Sequence, residues 1–96
     1  MTRESIEQHL RSIIVTILAV PLERVTADAR LIDDLGAESI DLLDLRFRIE
    51  DALGLKLSQA QLAEGLGTDG TASDFRARCT VGALATLLAR HRGLQT

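Results

Sequence analysis

Ser39 sits in "DDLGAESIDLLDL", Asp33 to Leu45, between a glycine turn preceded by two acids and the first turn of an apolar-rich segment. A hydroxyl in that place can do one of two things. It can cap a helix, because Ser, Thr, Asp and Asn accept hydrogen bonds from the free N–H groups that open one. It can also carry a covalent group: a helix start offers free N–H groups and about half a positive charge, which favours an anionic phosphate ester. Leu35-Gly36-Ala37 turns the chain tightly and keeps bulk away from the hydroxyl. The residues permit an anion on Ser39 without saying which.

No enzymatic constellation accompanies it. The sequence has no P-loop and no HExxH, and "GAESI" lacks the second glycine of a nucleophile elbow. A triad needs His9 or His91, and both fall on surface positions of other helices. Cys79, the single cysteine, excludes an internal disulfide and reads as a small buried residue before a helix cap. With no signal peptide in view, the expected compartment is the cytoplasm. The longest apolar run, Ile13 to Val20, is too short to span a bilayer, so no membrane insertion is expected.

Ninety-six residues with 46% hydrophobic content suit one domain, 1–96, with a core of Leu, Ile, Val and Ala, since Phe47 and Phe75 are the only aromatics. The net charge of −3 hides an asymmetry: Thr26 to Leu55 holds eight acids and three arginines, net −5, and the rest of the chain is net +2. An acidic region around Ser39 argues against nucleic acid and for basic protein partners.

The elements that position Ser39 follow from periodicity. A first helix over about 3–19 places Ile6, Leu10, Ile13, Ile14, Ile17 and Leu18 at helical spacing, with "SIEQ" as a capping box in its first turn and Pro21 as its stop. A long loop, 20–38, is anchored by Val25, Leu31, Ile32 and Leu35. The second helix, about 39–53, ends at Gly54 and carries two apolar stripes: Leu42, Leu45, Ile49, Ala52 and Leu53 for the core, and Ile40, Leu43 and Phe47 nearly opposite. Position alone favours burial of the second stripe under the loops. A short helix over about 59–64 opens at "SQAQ", a mobile turn-rich loop covers 65–73, and a further turn around Asp74 to Arg78 docks Phe75, the aromatic expected to be buried. A last helix over about 80–92 buries Val81, Leu84, Leu87 and Leu88 before Gly93, with Arg90, His91 and Arg92 at its negative end. The expected fold is an all-α four-helix bundle, three helices long and one short.

"VPLERVTADARLIDDLGAESIDLLDLRFRIEDALGLKL" resembles the acyl carrier protein family, whose members read as helix, long loop, acid pair, Leu-Gly, a small residue, then Asp-Ser-Leu opening the second helix. "TVGAL", Thr80 to Leu84, resembles the opening of that family's last helix. The resemblance implies that Ser39 receives 4′-phosphopantetheine from coenzyme A through a phosphopantetheinyl transferase, and that acyl groups ride as thioesters on the thiol of that arm. It implies that Ile40, Leu43 and Phe47 meet partner enzymes or line an acyl pocket, and that Asp34, Glu38, Asp41 and Asp44 form an acidic rim that steers encounter. Implied partners are the transferase, an acyl-loading ligase or acyltransferase, and a ketosynthase or other acyl-processing enzymes, met by a monomeric carrier that is not itself an enzyme.

Three features depart from the family pattern. Glu38 stands where Asp is usual, Arg46 and Arg48 interrupt the acidic second helix, and Gly54 to Cys79 is longer than in ordinary fatty-acid carriers. Together they point to a freestanding carrier of a specialised polyketide, hybrid peptide or unusual acyl-chain pathway. A peptidyl carrier fits less well, because those tend to have a non-acidic residue before the serine. The competing readings are a helical adaptor in which Ser39 is only a cap, and a small regulatory domain phosphorylated there.

Overall fold

The computed structural model describes residues 2–67 and 71–91. The expected loop positions 68–70 and the expected helix stop at Arg92 and Gly93 lie outside the described residues.

Helix α1 spans Arg3–Leu18. Its cap is Thr2, whose hydroxyl accepts the Ser5 N–H at 3.1 Å, so Ser5 lies inside the first turn and is not the start of a capping box. The helix ends at Leu18, within a residue of the expected bound. Ala19 adopts the left-handed conformation (φ 53°, ψ 43°) and donates its N–H to Val15 O. The physical reason is that Pro21 drives Val20 out of the helical region, so the chain must leave the helix before Val20. Pro21 instead introduces a 3₁₀ turn over Leu22–Arg24.

The loop that follows is long in sequence but tied down throughout. The Arg11 Nε donates to Val25 O at 3.0 Å, fixing the loop to α1. An isolated antiparallel bridge joins Arg30 to Thr80. Around it, Leu31 N–H donates to Cys79 O (3.0 Å), Val81 N–H to Ala29 O (3.0 Å) and Gly82 N–H to Ala27 O (2.9 Å). This close approach favours a glycine at position 82, where a Cβ would lie 3.0 Å from Ala27 O and 3.2 Å from Ala27 Cβ. Buried backbone groups that would otherwise be orphaned are thereby paired.

Helix α2 spans Ser39–Leu53 and ends at Gly54. Helix α3 covers Gln59–Leu66, two residues beyond Glu64, and a reciprocal capping box between Ser58 and Gln61 opens it (2.9 and 3.1 Å). Leu66 is buried, which carries the helix past Gly65 into what composition suggests is loop. The turn expected around Asp74 is a helix, α4, Ala72–Arg78, capped by Thr71. Its Phe75 is half-buried against the core. Helix α5 spans Val81–His91, with the Thr80 hydroxyl accepting the Ala83 N–H at 3.1 Å.

The described residues form an all-helical bundle in which α1 packs on both α2 and α5, and α3 packs on α5 and α4. Ile6, Leu10 and Ile14 from α1 meet Leu45, Ile49 and Leu53 from α2, while α5 contributes buried residues along almost its whole length. No polar or charged residue is buried among the described residues. The core is therefore held by aliphatic burial and dispersion rather than by internal ion pairs. Ala52, placed on the core stripe by its angle, is exposed at the edge of α2.

Leu88 is 0% exposed at the centre of this core. Leu88→Ala should cost about 2–5 kcal/mol, read as a lower urea midpoint at an unchanged denaturant slope; a loss well under 1 kcal/mol would contradict the packing described.

Candidate functional site

Ser39 is the first residue inside α2, and the helix cap is Glu38 (φ −101°, ψ 171°). Asp41 reaches back to accept the Glu38 N–H at 2.9 Å, so the carboxylates around the serine take over the capping. No side-chain hydrogen bond among the described residues engages the Ser39 hydroxyl, and Ser39 is exposed. The cap function that could have accounted for this serine belongs to its neighbour.

The turn that delivers Ser39 is tied down by backbone hydrogen bonds. Gly36 has φ +76°, a left-handed conformation that favours glycine. Its N–H donates to Ile32 O at 3.1 Å, and Ala37 N–H donates to Leu31 O at 2.8 Å. Leu35 and Ala37 are buried on either side of it, so Gly36 and Ser39 face outward from a fixed base.

Asp34 holds the same turn from outside. Its Oδ2 accepts the Arg30 backbone N–H at 2.8 Å and the Arg30 Nε at 3.2 Å, while Arg24 donates to Asp34 O at 2.8 Å. The Arg30 side-chain and backbone hydrogen bonds hold the Asp34 carboxyl below its ordinary value. Asp33 pairs with Arg76 of α4, whose Nε lies 3.0 Å from Asp33 Oδ1, and lies 3.7 Å from Arg30. The acid pair before the glycine thus closes the loop onto itself and onto α4.

On α2, the second apolar stripe is exposed. Ile40 is 71% exposed, Phe47 55% and Leu43 46%, which overturns the burial under the loops suggested by position. The loops pack instead against α5, leaving this face uncovered. Asp44 pairs with Arg48 at 3.1 Å, and Arg46 lies over the Phe47 ring, 5.5 Å from its centroid. Between α1 and α2, a crevice of about 10 Å³ is lined by Ile14, Ile17, Leu31, Leu42 and Leu45, with Asp41 among its lining residues. That volume is about one water-sized probe.

His9 is exposed on α1 with its Nδ1 2.8 Å from Ser5 O, and His91 is exposed at the end of α5. No cluster of three metal-ligating side chains occurs among the described residues. Burial pushes the Cys79 thiol up to about 12, so it is neutral and inert at pH 7.

The sequence profile described as "Phosphopantetheine attachment site" matches residues 8–75. An "Acyl carrier protein" from Thermotoga maritima is 45% identical over 69 residues, 72% of this chain and 84% of its own length. Another from Saccharopolyspora erythraea is 37% identical over 70 residues, 73% of each chain. A third, from Akkermansia muciniphila, is 44% identical over 57 residues, 59% of this chain and 71% of its own. The chain belongs to the acyl carrier protein family.

It is a carrier rather than a catalyst, and membership implies a covalently attached 4′-phosphopantetheine group. The structure suits such a group: an exposed hydroxyl that no described side chain engages stands at the positive end of a helix, after a glycine and an alanine that present little bulk. Carriers of this family work with a phosphopantetheinyl transferase and with acyl-processing enzymes. No helix among the described residues is long and apolar enough to cross a membrane.

Arg24, Arg30 and Arg76 are the residues that sequence reasoning did not single out. The Arg30–Asp34 pair has an i,i+4 spacing that could have been noticed, whereas Arg76 and Asp33 are 43 positions apart and meet only through the fold.

Two predictions follow from these environments. Cys79 should resist a maleimide or a disulfide reagent at pH 7 in folded carrier and react once urea unfolds it; rapid labelling of the folded, cofactor-free chain would contradict its burial. Asp34 has a depressed folded pKa, so its contribution is present above the ordinary carboxylate value and lost as pH falls through the folded one. The stability difference between wild type and Asp34→Asn should therefore be small, largest near neutrality, and shrink as pH is lowered through the carboxylate range. A difference that grows in acid would refute that sign.

Proposed function

We propose that Ser39 is the residue esterified by 4′-phosphopantetheine, and that the carrier holds acyl intermediates as thioesters on that arm while partner enzymes act on them. One observation carries the reading: the Ser39 hydroxyl is exposed at the start of α2 while Glu38 and Asp41 cap that helix. The other serines within the matched span are less suited. The Ser58 hydroxyl is occupied as a cap, Ser12 lies within α1, and Ser73 lies within α4. Attachment forms a phosphodiester at Ser39 Oγ as coenzyme A loses its 3′,5′-ADP half, the hydroxyl proton passing to a base of the transferase. When bound, the arm supplies a thiol for acyl transfer. The chain's own contribution is to fix the oxygen in space, place N–H groups of the α2 start near the new phosphate, and keep Cys79 out of the thiol chemistry.

Around Ser39, Ile40, Leu43 and Phe47 supply the partner-facing apolar stripe, with Asp34, Glu38, Asp41 and Asp44 as neighbouring acids. Partners in this reading are the transferase, a loading ligase or acyltransferase, and a ketosynthase or another acyl-processing enzyme. Membership of a specialised polyketide, hybrid peptide or unusual acyl-chain pathway is supported by Arg46 and Arg48 on α2. It is supported too by the helical segment between Gly54 and Cys79. The carrier works as a monomer in the cytoplasm. A pure adaptor with Ser39 as cap loses its main physical ground, because Ser39→Ala removes no capping bond.

Incubation with coenzyme A and a broad-specificity phosphopantetheinyl transferase should add one phosphopantetheinyl group to wild type and none to Ser39→Ala. The variant should keep its melting temperature within a degree or two, since it lacks the loss of about 1 kcal/mol that removal of a true cap causes. A mass gain by Ser39→Ala would place the attachment elsewhere.

A further inference from the structure

The acids that could draw a basic partner are for the most part engaged inside the chain. Asp33 pairs with Arg76, Asp34 with Arg30, and Asp44 with Arg48. Asp41 accepts the Glu38 N–H, and Glu50 accepts the Leu57 N–H at 2.7 Å. Glu38 and Asp51 lie near the two ends of α2. At its centre the uncovered face is apolar, and the charge beside it is positive.

Arg46 differs from its neighbour Arg48. Its guanidinium lies over the exposed Phe47 ring, and its Nε is sealed from solvent with no hydrogen-bond partner. Glu50, four residues on, is placed to pair with it by helical spacing. That carboxylate is turned instead to the start of α3 through Leu57. No ion pair to Arg46 occurs among the described residues. With the guanidinium held over the Phe47 ring and Nε sealed, the terminal Nη groups are left to take a carboxylate end-on. Arginine and aromatic side chains are also the residues that most often dominate interface energetics.

We propose that Leu43, Arg46 and Phe47 dock on a partner protein presenting an apolar recess edged by a carboxylate, which pairs with Arg46 as Phe47 enters the recess. The proposal rests on the carrier reading and names the chemistry of its partner. It reverses the charge sense expected from the acid count of this region: selection at the centre of α2 is for an acidic edge, not a basic one.

The test uses two synthetic amphipathic helical peptides with identical Leu and Ile anchors that differ only in Glu or Lys at one position flanking the anchors. Each is titrated into ¹⁵N-labelled wild type, Arg46→Gln and Arg46→Glu, with the amide spectrum confirming that each variant is folded. Wild type should bind the Glu peptide roughly tenfold more tightly than the Lys peptide, with shifts centred on Leu43 to Phe47. Arg46→Gln should remove the preference and Arg46→Glu should invert it. Equal binding, a Lys preference in wild type, a preference that survives Arg46→Gln, or no binding by either peptide overturns the proposal. Loading with coenzyme A and the transferase, taken to completion on wild type and Arg46→Gln, separates the two levels. No mass gain in wild type defeats the carrier reading, whereas full loading with the wrong peptide preference defeats only the docking surface.

Discussion

The structure depends on the pairing of the long loop with the start of α5. Backbone hydrogen bonds from Leu31, Val81 and Gly82 fasten residues 27–31 to residues 79–82, although some fifty positions separate them in sequence. A loop of this length would otherwise have to be ordered at an entropic cost of about 1–2 kcal/mol per residue, with little to offset it. Burial of Val25, Leu31 and Leu35 supplies the offset, and the backbone bonds fix the register. Once residues 27–31 are fixed, the Arg30–Asp34 contact and the left-handed Gly36 determine where α2 begins. The exposed position of Ser39 follows from that chain of constraints.

The start of α2 shows how one set of residues separates two tasks. A serine at a helix start ordinarily gives its oxygen to the backbone. Here Glu38 stands at the cap position, Asp41 ties down its N–H, and the serine moves one residue inward. The helix is stabilised without involving the hydroxyl that the covalent chemistry needs. The same division holds along α2: Leu45, Ile49 and Leu53 bind it to the core, while Ile40, Leu43 and Phe47 stay uncovered. An exposed apolar face of that kind is costly unless another surface uses it.

Much of this was legible in the sequence, and the reasons are local. The apolar period of α1, α2 and α5, the glycine after α2 and the Ser58–Gln61 spacing are signals carried by neighbouring residues. Other features were hidden because they are tertiary. Whether Ile40, Leu43 and Phe47 were covered depended on where the loops packed, and the loops follow α5 rather than α2. The short helix α4 was obscured by the turn-forming residues before it. Charge counting placed Asp33 and Asp34 in an acidic stretch, and the resemblance made Asp34 part of an acidic rim; the fold sets arginines from three places against the two. Charge counting could not show that, since it has no access to which pairs meet.

The central claim is that the fold presents one particular serine oxygen for esterification. Peptide mapping by tandem mass spectrometry of the coenzyme A–loaded protein, with fragment ions that bracket Ser12, Ser39, Ser58 and Ser73 separately, tests it most directly. The account predicts a single phosphopantetheinyl group, on the peptide containing Ser39 and localised to that residue. The same group found on any other serine, or spread over several, would contradict it.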